Sequence, residues 1–341
     1  MHKNSSLARA GQWFLHSGIQ EPSGGVARFY QSDIRKNKPV STEITGYAAS
    51  AFVYLHTVTG DQIYLDRARQ TAQFLVKCVW NQELKTFPFE YLSNRTYFFD
   101  CGIIVRGLLA VWRQTKEEEL LAVAHAACRG MMADFRAGSG YHPILELPGK
   151  QPVERTAHWS RSSACYQLKS ALAWFDTAEL TGDESLRAAY MEMLDFSLAD
   201  HTGFLSGADT YGTMDRLHAY GYFLEALIPV LHRPECAAAF SSALEAVSRN
   251  FQEISPAFAR CDALAQLVRA RIYGGYPVPP SEIEALAVFQ ATSDDPRIDG
   301  GFLFGRRDGA PSPHISPVST AFALQALEMA GKQPPCRYLL I

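Results

Sequence analysis

Three acidic residues stand at the starts of apolar stretches of the chain, where a carboxyl group could act on a bound molecule. They are Glu43, Asp100 and Asp215. Paired carboxylates are the usual tool of glycoside cleavage, one as acid and the other as base or nucleophile. A carboxylate in the first turn of a helix can instead be a plain cap of free backbone N–H groups. We predict all three as candidate catalytic residues, with capping as the alternative for each.

Two histidines lie among neighbours that suit proton transfer and sugar binding. His158 is followed by Trp159 and Arg161, and His218 comes three residues after Asp215. Histidine exchanges protons near neutral pH, tryptophan stacks on apolar rings, and arginine pairs with carboxylates through two hydrogen bonds. We therefore predict His158 and His218 as catalytic, and Trp159 and Arg161 as substrate-binding. The alternative is that Trp159 belongs to the core and that Arg161 pairs with a neighbouring acid.

Further polar and aromatic residues lie in or next to the long loops that precede apolar stretches. Binding sites commonly form in loops that a rigid scaffold holds in place. The predicted substrate-binding residues of this kind are Tyr91, Tyr97, Tyr211, Arg216, Asp262 and His314.

The sequence gives little support for a bound metal or cofactor. Cys261 and Asp262 together with His218 include zinc-ligand types, but their spacing is not diagnostic of a zinc site. Cysteine as a small buried hydrophobe is the better interpretation of Cys261. No glycine-rich phosphate loop of the Walker type occurs. We predict no metal and no cofactor.

Composition limits the partners and the compartment. The formal net charge of −3 and the pI near 6.4 give no electrostatic reason to expect nucleic acid as a partner. Charged residues interrupt the apolar runs too early for a membrane span, and the N-terminal residues lack a signal-peptide core. Seven scattered cysteines without CxxC spacing favour reduced thiols and a cytoplasmic location.

The elements that must position these residues are helices in a regular alternation. Six helices that are apolar nearly all round start near residues 42, 99, 158, 215, 258 and 316, and six amphipathic helices alternate with them. Thr59-Gly60-Asp61 and Thr181-Gly182-Asp183 repeat one turn between such helices. Self-similarity at a spacing of about 43 to 59 residues indicates a repeat architecture. The pattern predicts six helical hairpins that close into a ring, as a single domain over 1–341.

This all-α pattern resembles the (α/α)6 toroid of six-hairpin carbohydrate-active proteins. That group includes unsaturated glucuronyl hydrolases, N-acylglucosamine 2-epimerases and the helical part of glucuronyl C5-epimerases. The resemblance covers nearly the whole chain and rests on the hairpin count, the Thr-Gly-Asp turns and the Asp299-Gly300-Gly301-Phe302 loop. The segment from His158-Trp159 to Thr181-Gly182-Asp183 also resembles bacterial exopolysaccharide-biosynthesis proteins of this fold.

Asp100 carries a more local resemblance. Phe99-Asp100-Cys101-Gly102 is similar to the His-Asp-x-Gly-Phe start of the matching helix in unsaturated glucuronyl hydrolases, where the Asp is a catalytic acid/base. This sequence has Phe99 in place of the His and Ile103 in place of the Phe. The family's second catalytic Asp has no clear counterpart near residues 158–163.

These observations leave two classes of function open. The first is a carbohydrate-active enzyme of hydrolase, lyase or epimerase type that acts on an oligo- or polysaccharide, with uronate-containing glycans among the candidate substrates. The pairing of His158 with His218 would suit the proton exchange of a sugar epimerase, and His314 is a candidate third member. The second is a non-catalytic protein that binds glycans or scaffolds polysaccharide assembly. The sequence leaves the oligomeric state, the sugar and the reaction open.

Overall fold

The computed structural model describes residues 5–138, 140–154, 156, 158–207 and 209–341. Over these residues the chain forms twelve α-helices and nine short strands. The helices are α1 (Ser6–His16), α2 (Thr42–Thr59), α3 (Gln62–Phe74), α4 (Phe98–Thr115), α5 (Glu118–Asp134), α6 (Leu168–Thr181), α7 (Glu184–Asp200), α8 (Thr210–Leu227), α9 (Pro234–Ile254), α10 (Cys261–Gly274), α11 (Pro280–Ala287) and α12 (Pro317–Met329). The strands are β1 (Tyr30–Gln31), β2 (Lys36–Asn37), β3 (Arg95–Tyr97), β4 (Ile144–Glu146), β5 (Gln151–Pro152), β6 (Phe258–Arg260), β7 (Gly305–Arg307), β8 (Ala310–Pro311) and β9 (His314–Ile315).

The chain folds into two compact units. The middle unit consists of residues 22–26 and 40–201, and the terminal unit consists of residues up to 21, 27–39 and 202–341. The single domain that the sequence predicts over 1–341 remains a prediction. In the described part of the chain, none of the helices combines the length and hydropathy needed to cross a bilayer.

The middle unit contains three hairpins, α2/α3, α4/α5 and α6/α7, whose first helices are largely buried. Local sequence fixes the turns between the helices. Gly60 and Gly182 take the left-handed conformation that ends α2 and α6, and it costs little without a Cβ atom. The carboxylates of Asp61 and Asp183 then accept hydrogen bonds from backbone N–H groups that open α3 and α7.

Glycines bring the buried helices of the middle unit into close contact. A Cβ atom on Gly102 of α4 would lie 2.5 Å from the Cα of Ser170 on α6. A Cβ atom on Gly107 would lie 2.5 Å from the backbone oxygen of Gly46 on α2. These helices therefore pack backbone against backbone, and that is why Gly102 and Gly107 occur inside an otherwise apolar helix.

The terminal unit joins the two ends of the described chain. Helix α1 packs against α12, and β1 pairs with both β2 and β9. Its other hairpins are α8/α9 and α10/α11. Arg269 of α10 lies fully buried, in an ion pair with Glu225 of α8 and 3.0 Å from Oε1 of Gln325 of α12. This buried network connects the three apolar helices of the unit.

One element begins well away from its predicted start. The sequence predicts an apolar helix from about His158, but α6 begins at Leu168, after short 3₁₀ turns at Trp159–Arg161 and Cys165–Gln167. The Ser162 hydroxyl donates to the carbonyl of Thr156, and Nδ1 of His158 lies 2.9 Å from the Ser160 hydroxyl oxygen. Such local side-chain bonds compete with helical ones and delay the helix. His158 and Trp159 consequently lie in a loop.

Candidate active site

The densest group of buried ionisable side chains lies in the terminal unit, around Arg260. Strand β6 ends at Arg260 and α10 follows at once, so Arg260 and Asp262 flank the helix start. Nε of Arg260 donates to Oδ1 of Asp262 at 2.9 Å, and Nη2 donates to Oδ2 at 2.6 Å. Nη1 donates to Oδ1 of Asp215 at 2.8 Å. Arg260 therefore holds two carboxylates in fixed positions, one buried and one 41% exposed.

His218 of α8 lies beside this pair of carboxylates. Its Nδ1 lies 2.7 Å from Oε1 of Gln266 and 3.7 Å from Oδ2 of Asp262. Gln266 comes one helical turn after Asp262 on α10, so both point to the same face. A Cβ atom on Gly221 would lie 2.8 Å from the Gln266 side chain, so this glycine gives Gln266 the room to approach α8.

The environment keeps His218 neutral. Burial lowers its pKa to about 4, outweighing the opposing effect of the Asp262 carboxylate. Because Oε1 of Gln266 can only accept, we assign the proton of the neutral ring to Nδ1 and the lone pair to Nε2. A neutral imidazole with a fixed tautomer has the properties of a general base.

The environment of Asp262 favours its charged form. Burial acts to raise its pKa, but the charge and hydrogen bonds of Arg260 outweigh burial and hold the pKa below its usual value. Asp262 is therefore ionised at neutral pH, and it is unsuited to the role of a protonated acid. Its position favours orienting Arg260 and His218 instead.

Other predicted residues of the terminal unit lie at the edge of this group. His314 packs 4.4 Å from the ring of Phe29, and burial lowers its pKa. The ring of Tyr211 lies 5.5 Å from that of Phe258, in a tilted arrangement. Arg216 instead donates to the backbone oxygens of Phe204 and Ser206, so it fastens a loop.

The middle unit contains a second group, around Asp100. Asp100 lies in the first turn of α4 and is only 4% exposed. Burial, followed by the negative charge of Asp100, raises the pKa of Tyr166 well above its usual value. Tyr166 packs 5.1 Å from Trp159, which stacks 6.0 Å from His158. Tyr166 therefore lies within electrostatic reach of Asp100 and in contact with Trp159.

The remaining predicted residues of the middle unit are more scattered. Glu43 lies in the first turn of α2 and is half-buried, and Arg161 is exposed. Tyr97 packs 4.6 Å from Phe89. Tyr91 is 59% exposed and lines an open cleft of about 640 Å³ with Trp80.

Two residues of the terminal unit escape sequence reasoning. Gln266 lies in an apolar helix, and its contact with His218 depends on the close packing at Gly221. Arg307 follows Arg306 in a stretch that the sequence marks only as part of a glycine-rich loop. A signal existed for Gln266, because Asp262 and Gln266 have the i, i+4 spacing of a helix face.

Comparison with known proteins identifies the fold. No protein-family model matches the chain, and no curated protein matches it. A sugar epimerase from a ruminal bacterium superposes with a TM-score of 0.72 over 97% of this chain and 100% of its own, at 12% identity. Cellobiose 2-epimerase from Bacillus thermoamylovorans B4167 gives a TM-score of 0.69 over 94% of this chain and 96% of its own, at 13% identity. Unsaturated glucuronyl hydrolase from Bacillus sp. GL1 gives 0.68 over 95% of each chain, at 14% identity.

The chain therefore has the (α/α)6 toroid fold, as the alternation of apolar and amphipathic helices predicts. Its structural neighbours include sugar epimerases and a glucuronyl hydrolase. At 12 to 14% identity the likeness establishes the fold alone, so the chemistry has to be argued from the side chains.

Proposed function

We propose that this protein is a carbohydrate-active enzyme of the proton-transfer kind, an epimerase or isomerase that acts on the reducing sugar of a saccharide. One observation carries the proposal. His218 is buried and neutral, with a pKa of about 4, and Gln266 fixes its tautomer beside the ion pairs of Arg260. The sugar epimerases among the structural neighbours support the choice of substrate class.

The proposed chemistry follows from the residues of this group. The lone pair on Nε2 of His218 removes the proton from the carbon next to the carbonyl of the open-chain sugar. The electron pair of that C–H bond moves into an enediolate, and return of a proton to the other face of the carbon gives the epimer. His314, which lines the cleft beside Phe304, is the proposed donor of that proton from its protonated form, and exchange of protons with solvent then resets both histidines. The carboxylate of Asp215, 41% exposed, is placed to accept hydrogen bonds from sugar hydroxyl groups.

Deuterium exchange tests this proposal. Incubation with cellobiose or D-mannose in D₂O should place deuterium at C2, detected by NMR, whereas hydrolysis would release a smaller sugar without such exchange. His218→Asn keeps a hydrogen-bond donor for Gln266 but removes the base, so exchange should fall at least a hundredfold, within the usual contribution of a general base of about 10² to 10⁴. The exposed His232 of the same unit supplies the control, and His232→Asn should retain full exchange. Unchanged exchange in His218→Asn would refute the role of His218.

A hydrolytic or lyase reaction is the second candidate, and the position of Asp100 favours it. Asp100 is 4% exposed, its charge acts on Tyr166, and Tyr166 contacts Trp159, so an acid lies in the same region as two aromatic side chains. Release of a reducing end or of an unsaturated sugar from a polysaccharide would identify this reaction. Binding of glycans without turnover of any would instead favour the scaffolding role in polysaccharide assembly.

A further inference from the structure

The terminal unit carries a cleft of about 390 Å³ beside the β6–β7–β8 sheet. Most of its lining is aromatic or prolyl, and Arg307 is the lining residue that carries a permanent charge. The lining includes Phe258, Phe304, Arg307, Pro311, Pro313 and His314. Aromatic faces next to a single charged group are the usual composition of a specific small-ligand site.

Arg307 is an exposed residue that lies near two aromatic rings and lacks an anion among the described residues. Its guanidinium carbon lies 4.7 Å from the centre of the Tyr211 ring and 4.9 Å from that of Phe258. Within the described residues it has neither a carboxylate partner nor a side-chain hydrogen bond. Arg260 differs, because it binds two carboxylates, and Arg306 donates to the carbonyl of Val288. The two rings thus attract the guanidinium of Arg307 and leave its N–H groups for another acceptor.

The cleft adjoins the group around His218. In the register of the sheet, Phe258 lies opposite Arg307, and Arg260 lies opposite Gly305. Phe258 and Arg260 are two residues apart on β6 and so share a face, about 7 Å from each other. Phe304 lines the cleft, and its ring centre lies 4.5 Å from the guanidinium of Arg260. Arg260 binds Asp262, which is 3.7 Å from His218.

We propose that this cleft is a subsite for a sugar unit that carries a carboxylate, next to the sugar that reacts at His218. The assumption that a sugar reacts at His218 rests on the proposed function. The rings of Phe258 and Phe304 provide apolar surface for the C–H face of a pyranose. The planar guanidinium of Arg307 matches a carboxylate through two parallel hydrogen bonds, whereas a neutral sugar would leave it without an anion. The substrate is then an acidic oligosaccharide of at least two units.

Calorimetric titration tests the subsite without depending on turnover. The His218→Asn protein is titrated with cellobiose and with glucuronosyl-β-1,4-glucose, which differ in one carboxylate. The acidic disaccharide should bind about tenfold more tightly than cellobiose, because water screens the pair of hydrogen bonds to the exposed Arg307, and added salt should reduce the difference. Introducing Arg307→Ala should remove most of this preference.

Arg306→Ala is the matched control. Arg306 is the preceding residue of β7 and faces the other side of the strand, so this change should preserve the preference for the acidic sugar. Equal affinities for the two sugars, or equal losses in both arginine variants, would overturn the subsite. If the protein shows no preference for the acidic disaccharide, but the native enzyme exchanges deuterium as expected, the subsite is refuted and the proposed function stands. If the preference for the acidic sugar survives while His218→Asn exchanges deuterium normally, the subsite stands and the proposed function is refuted.

Discussion

At the scale of single residues, burial of His218 links the candidate site to the stability of the protein. Its pKa is about 4 in the folded chain, against 6.5 for an ordinary histidine. As the pH falls from 6.5 to 4, the unfolded chain takes up a proton there that the folded chain does not, so stability decreases. Through this group the free energy of unfolding falls by about 3 kcal/mol in total. The decrease is complete below pH 4 and has not begun above pH 6.5.

We expect His218→Asn to remove this part of the pH dependence. Urea unfolding at pH 7 and at pH 4.5 measures it, because the native protein should lose more stability between the two values than the variant does. His232→Asn should behave like the native protein, since His232 is exposed. Parallel pH profiles for the native protein and His218→Asn would show that the environment of His218 does not exclude its charged form.

A variant of Asp100 distinguishes two roles for this residue: a catalytic group in the middle unit, or only a helix cap. Asp100→Asn keeps the size and much of the capping ability of the side chain but removes its titration. If hydrolysis or elimination occurs, we expect the variant to lose turnover while the melting temperature and glycan affinity stay close to native values. Full turnover in Asp100→Asn would identify Asp100 as a helix cap.

Sequence reasoning found the residue types of the candidate site better than their contacts. Asp215 and His218 follow from the helix start that the sequence predicts near residue 215, and Asp262 from the loop before an apolar stretch. Helix α8 in fact begins at Thr210, so Asp215 and His218 lie in its second and third turns, and all three residues lie in one group around Arg260. Gln266 does not follow, because its contact with His218 depends on a close approach between two helices that are distant in sequence. The catalytic and binding roles of all these residues remain predictions.

At the scale of elements, the alternation of apolar and amphipathic stretches predicts most helices, because burial on one or on all sides leaves a direct mark on composition. The predicted start of α6 was wrong by ten residues. The apolar content at Trp159 suggests a helix, but hydroxyl groups nearby form hydrogen bonds that compete with helical ones. The sequence does not predict most of the short strands within the loops, because two or three residues are too few to show the alternation of a strand.

The close contact of α4 with α6 gives a test at this scale. A methyl group on Gly102 would lie 2.5 Å from the Cα, Cβ and backbone oxygen of Ser170, so the helices must separate to accommodate it. We expect Gly102→Ala to destabilise the fold by about 1–3 kcal/mol, the usual cost of overpacking. Gly138→Ala in the same unit is the control, because a Cβ there meets nothing within 4 Å. Equal melting temperatures for the two variants would contradict the contact.

At the scale of the whole molecule, the path of the chain bears on how it unfolds. The terminal unit consists of three separate segments, and the chain passes between the two units at residues 21/22, 26/27, 39/40 and 201/202. Within the terminal unit, residues far apart in sequence depend on one another: β1 pairs with β9, and Arg9 lies 2.9 Å from Asp299. The terminal unit therefore cannot complete its core until nearly the whole chain has been made.

This connectivity leads to an expectation about cooperativity. If residues 1–341 form a single domain, as the sequence predicts, calorimetry should give one transition whose van't Hoff and calorimetric enthalpies agree. Trp13 reports on the terminal unit and is 1% exposed, whereas Trp174 is a fully buried reporter in the middle unit. Two variants that each keep one of these two tryptophans, with the others replaced by Phe, should unfold at midpoints that shift together in urea. Separate midpoints for the two reporters, or two calorimetric peaks, would mean that the units are independent domains.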